Sequence, residues 1–73
     1  MNTVVGTKQV KKALKEGTVK EVFIAENTDI GLKNKLVALC EKYEVKISYM
    51  DTKKELGENF GIGINAAIAA ILI

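Results

Sequence analysis

Apolar positions change their period several times along this chain. Thr3-Val4-Val5 is a short apolar run that predicts a first strand, and Gly6-Thr7 interrupts it. From Lys8 to Glu16 the period becomes helical. At 100° per residue, Val10, Ala13 and Leu14 share an arc of about 100°, and Lys8, Lys11, Lys12 and Lys15 fill the opposite arc. Thr7 stands where a hydroxyl would cap the first N–H groups, and Gly17 stands where the helix would stop.

Val19 to Ala25 predicts a second strand, and its continuous apolar stretch Val22-Phe23-Ile24-Ala25 predicts cover on both faces. The polar stretch Glu26 to Asp29 predicts a loop. A second helix is expected over about Leu32 to Tyr43, with Leu32, Leu36, Leu39, Cys40 and Tyr43 inward. Val45, Ile47 and Tyr49 alternate with Lys46 and Ser48, which predicts a third strand. Thr52-Lys53-Lys54-Glu55 has the form of a capping box, and Leu56 and Phe60 would pin the short helix it opens. Ala66 to Ile73 predicts the last strand, whose small side chains allow helices to approach closely. The order β-α-β-α-β-α-β predicts an α/β domain with helices on both faces of a partly parallel sheet. The length and lack of charge of the terminal strand predict a monomer prone to association.

Composition narrows the chemistry. The chain has 73 residues, 48% hydrophobic and 27% charged, which fits one small globular domain. It contains no His, so the commonest general base and zinc ligand is absent. Cys40 is the single cysteine, which excludes an internal disulfide and a multi-cysteine metal site and points to a reducing compartment. It lies on the apolar arc of its helix, where a thiol packs as a small hydrophobe rather than acting as a nucleophile. Asp51, Glu55 and Glu58 form no evident acid–base pair. Gly57, Gly61 and Gly63 follow a helix and precede a strand, the reverse of a dinucleotide-binding turn, and read better as loop glycines. No targeting segment is visible, and the eight apolar residues from Ala66 are too few to cross a membrane.

The net charge of +2 is small, but Gly6 to Lys20 holds five Lys and one Glu. All eleven basic residues are Lys, which act as point charges suited to phosphate rather than as guanidinium forks. The start of the first helix offers unpaired N–H groups at a positive dipole end. Lys8 and Gln9 fall in its first turn, where Gln can both donate to and accept from a base edge and Lys can reach a guanine acceptor or a phosphate. The competing reading is an ordinary solvated face on a small helix.

Six ordered strings carry a specific resemblance. Gly6-Thr7-Lys8-Gln9-Val10, Lys12-Ala13-Leu14-Lys15 and Val19 to Ala25, together with Lys53-Lys54-Glu55-Leu56-Gly57, Gly61-Ile62 and Ala66 to Ala70, closely resemble the kink-turn RNA-binding family of ribosomal protein seven-Ae. The likeness is closest to its small bacterial YbxF/YlxQ-like branch and covers nearly the whole chain. The resemblance implies a three-layer α/β/α sandwich with a mixed four-stranded sheet, formed by residues 1–73 as a single domain that lacks the family's usual N-terminal helix.

It further implies a non-enzymatic module that stabilises kink-turns, RNA bends with tandem sheared G·A pairs. The expected setting is cytoplasmic and ribosome- or riboswitch-associated, with no cofactor, metal, DNA or membrane partner. By the family's pattern, Gly6 and Thr7 let the backbone approach the RNA. Lys8 and Gln9 take positions filled by Asn and Glu in archaeal and eukaryotic members, and Lys12 matches the basic position on the same helix. Ile62, Gly63 and Ile64 match the loop that covers a flipped-out nucleotide. Gly63 replaces the acidic residue usual there, Asn65 the usual Gly, and Phe60 a small side chain. A rival from another class is a protein–protein adaptor that uses the Ile62–Ile64 loop as its docking patch.

Overall fold

The computed structural model describes residues 2–73. Seven elements alternate along it: β1 (Thr3–Val5), α1 (Thr7–Glu16), β2 (Val19–Ala25), α2 (Ile30–Lys42), β3 (Lys46–Met50), α3 (Lys53–Asn59) and β4 (Ile68–Leu72). The strands form one sheet in the order β1-β4-β2-β3. β2 and β3 are parallel, and β4 runs antiparallel to both β1 and β2. The sheet is therefore mixed, with β1, β2 and β3 pointing one way.

Alternation along the strands divides the core into two layers. Val22, Ile24, Ile68 and Ala70 face α1 and α2, where they meet Val10, Ala13, Leu14, Leu36 and Cys40. On the other face, Ala25 and Ala69 pack with Leu56 of α3 and with Ala66. Phe23 and Phe60 extend that layer, their ring centroids 5.5 Å apart at a tilt of 60°. Two helices thus cover one face and one short helix part of the other. Beside α3 an open hollow of about 530 Å³ remains over Thr3, Phe23 and Ile71.

Several expectations change in the structure. Thr7 is the first residue of α1 rather than its cap. Gly6 holds the cap position with φ 103°, and no side chain closes the helix start. α2 begins at Ile30 because Asp29 caps it, its Oδ2 accepting from the N–H groups of Gly31 (3.1 Å) and Leu32 (3.4 Å). Leu32 consequently sits in the first turn of α2 and is exposed rather than inward. Tyr49 is half-exposed because β3 is an edge strand, and its ring lies under the Lys33 ammonium at 5.4 Å.

Thr52 caps α3 by accepting from the Glu55 N–H at 3.0 Å, which is one half of the expected capping box. β4 starts at Ile68 rather than Ala66, since the Ala66 N–H donates to the Lys53 carbonyl instead of to a strand (3.1 Å). β4 is also an inner strand with a neighbour on each side, so its lack of charge creates no open edge. β4 therefore gives the monomer no open edge through which to associate.

Candidate nucleic-acid interface

Because β1, β2 and β3 run in one direction and β4 returns, one rim of the sheet gathers four connections: Gly6, the Glu26–Asp29 loop, Asp51–Thr52 and the segment from Phe60 to Ala67. Each of the first three leads into a helix, so the positive ends of α1, α2 and α3 all lie at this rim. In α/β sheets the rim at the carboxyl ends of parallel strands is the common location of binding sites.

Gly6 occupies a backbone region closed to residues with a Cβ (φ 103°, ψ 149°). Its N–H donates to the Ile68 carbonyl (3.0 Å) and its carbonyl accepts from the Val10 N–H (3.0 Å), which fixes the entry into α1. The bond to Ile68 ties the start of α1 to the start of β4, which directly follows the segment that carries Ile62, Gly63 and Ile64. Thr7, Lys8 and Gln9 are exposed in the first turn, which holds no acidic residue. A Cβ at Gly6 would lie 3.9 Å from Gln9 Oε1, so the Gln9 amide folds back over the glycine. Lys11, Lys12 and Lys15 continue the exposed stripe. Among the described residues the ion pairs are Lys33–Glu26 at 3.2 Å and Lys46–Glu21 at 3.9 Å, so the α1 stripe keeps its charge unneutralised.

The second part of the rim is apolar. Gly61 (φ 73°) and Gly63 (φ 69°) turn the chain after α3 and present Ile62 and Ile64, the latter 70% exposed. The loop does not float. The Ile62 N–H donates to the Gly57 carbonyl at 3.1 Å, and the Ala25 N–H donates to the Ala67 carbonyl at 2.9 Å. Asn27 Oδ1 accepts from the Lys53 N–H at 2.9 Å and ties the β2–α2 loop to the start of α3.

One residue of this rim escaped the pattern reading. Ile30 is 68% exposed in the first turn of α2. Its phase was the available signal, for it lies about 120° from Leu36 around the helix, outside the apolar arc. Cys40 is fully buried, and burial followed by the neighbouring Glu41 charge pushes its thiol up to about 11. It stays protonated and packs in the core, far from the rim. No group of His, Cys, Asp or Glu among the described residues could hold a metal ion.

Residues 1–72 match the model of the ribosomal protein L7Ae/L30e/S12e/Gadd45 family. The chain belongs to this family. Curated family relatives are similar over nearly its whole length. An RNA-binding protein of Caldanaerobacter subterraneus is 43% identical over 70 residues, which are 96% of this chain and 85% of that protein. The RNA-binding protein YbxF of Geobacillus stearothermophilus is 41% identical over 69 residues, 94% of this chain and 84% of its own. Among solved structures, a protein of unknown function from Bacillus halodurans superposes with a TM-score of 0.83 at 25% identity, over 94% of this chain and 69% of that one. A 15.5 kD RNA-binding protein of Giardia lamblia has the same fold, with a TM-score of 0.85 at 24% identity. There the match covers 97% of this chain and 60% of the other. The L7Ae-family sandwich is thus the architecture of this chain, and the two curated relatives named above are RNA-binding proteins.

Proposed function

We propose that this L7Ae-family protein recognises and stabilises kink-turn RNA as a non-catalytic binding module, in a ribosome- or riboswitch-associated role in the cytoplasm. The observation that carries this reading is the start of α1. Gly6 brings the backbone into the helix with no side-chain cap over its first N–H groups, beside exposed Lys8 and Gln9. Unsatisfied donors, a dipole end and a Gln amide together suit a bent RNA whose grooves expose base edges. Lys11, Lys12 and Lys15 supply attraction to phosphate. Ile62 and Ile64, with Ile30 at the same rim, offer apolar surface to an unstacked base.

A gel shift with a kink-turn and a matched duplex lacking the G·A pairs tests this. The kink-turn is expected to bind more tightly at physiological salt, and equal affinity would reject the assignment. The adaptor reading draws on the same exposed isoleucines and predicts binding indifferent to RNA and to salt.

A further inference from the structure

We propose that Gly57 is a positioning residue for the RNA interface: the absence of its side chain seats the Ile62–Ile64 loop on α3 and so holds Ile64 outward. This rests on the kink-turn reading above.

Gly57 is the fifth residue of a seven-residue helix and is buried. Local preference does not explain it, since glycine is a poor residue for a helix interior. Its surroundings do. A Cβ there would lie 1.7 Å from the Ile64 carbonyl oxygen, 2.8 Å from its carbonyl carbon and 3.6 Å from Asn65 Cα. All three are backbone atoms, so no rotamer change relieves the clash; the loop itself would have to lift. The same turn of α3 accepts the Ile62 N–H at the Gly57 carbonyl, and one turn earlier Lys53 accepts the Ala66 N–H.

α3 therefore grips the loop on both sides of Ile64 and from beneath it. The result is an exposed apolar side chain on an anchored backbone, so that little ordering remains to be done when a base arrives. Gly61 and Gly63 are glycines for a different reason. A Cβ at either meets nothing within 4 Å, and only their positive φ demands glycine.

The test uses the full chain, a kink-turn carrying 2-aminopurine at its unpaired nucleotide, and the duplex lacking G·A pairs. Gly57→Ala is expected to weaken kink-turn binding roughly ten-fold or more, the loss of one base contact, and to leave duplex binding unchanged. The 2-aminopurine fluorescence change on binding should shrink. In an Ile64→Ala background, Gly57→Ala should add no further loss, because both act through one contact. Wild-type behaviour of Gly57→Ala towards both RNAs, or an equal loss for both, overturns the proposal. Circular dichroism establishes folding first. If Gly57→Ala does not fold, Gly61→Ala displaces the same loop through its φ of 73° without adding a clash on α3. It should show the same selective loss, and an equal loss for both RNAs would again overturn the seat. A wild-type chain that binds kink-turn and duplex alike overturns the RNA reading itself, before any variant is compared.

Discussion

Gln9 and Lys15 are both exposed on α1, at opposite ends of the helix. Gln9 is at the rim, where its amide can meet base edges. Lys15 is in the last turn, where on the proposed reading it meets only phosphate or solvent. Gln9→Ala should cost kink-turn binding on the order of 1–3 kcal/mol and spare duplex binding. Lys15→Ala should weaken both RNAs slightly and make the salt dependence shallower, and titrations at three salt concentrations separate the two outcomes. Cys40 makes a different prediction. Its thiol ionises near 9.0 when unfolded and near 11 when folded. Its contribution to stability is intact below pH 9 and is lost as pH rises from 9 to 11, because the unfolded chain releases the proton first. Urea unfolding across that range should fall more steeply for wild type than for Cys40→Ala. The native thiol should also resist alkylation at pH 8. At this scale the lysine stripe and the buried thiol were legible from phase alone. The outward phase of Ile30 was legible too, but not its place in the first turn of α2, which depends on the Asp29 cap.

The elements follow from short-range chemistry where that chemistry has one outcome. β1 and β2 have the bounds their apolar runs predict, and Gly17 ends α1 in the left-handed conformation expected of it. Two misplaced boundaries are set by partners distant in sequence, and a third, the start of α2, by the adjacent Asp29. β4 loses Ala66 to a bond with Lys53. Thr7 loses its capping role because Gly6, held by Ile68, makes the turn first. The start of α2 depends on a single carboxylate. Asp29→Ala should destabilise the protein by about 1 kcal/mol, as should Thr52→Ala at α3. Chemical denaturation checks both. Loss of the Asp29 cap should also loosen the β2–α2 loop at the rim, which amide exchange at Gly31 and Leu32 would register.

At the scale of the molecule, two helices on one face and one on the other leave a lopsided sandwich. The pairing that sets the sheet order was not legible from the sequence, since nothing local says that the last strand inserts between the first and second. That insertion decides the rest, for it brings the Gly6 and Ile64 motifs to one rim and removes the uncharged strand from the edge. With a net charge of only +2, attraction to RNA must come from where the lysines stand rather than from their excess. Affinity for the kink-turn should therefore fall steeply with salt, with a logarithmic slope of several units, roughly 0.7–0.9 for each phosphate engaged. A slope near zero in filter binding would contradict the role of the α1 stripe.

The antiparallel return of β4 has one more consequence. It brings Ile73 to the base of the sheet beside Asn2, whose carbonyl accepts the Leu72 N–H at 2.8 Å. The molecule is thereby polar in the manner of a plug, with the proposed RNA-binding rim at one end of the sheet and the start of β1 and the end of β4 at the other. A fluorescent label placed at Asn2 or Ile73 would therefore hang clear of the proposed rim, and should leave kink-turn affinity as it is in the unlabelled chain.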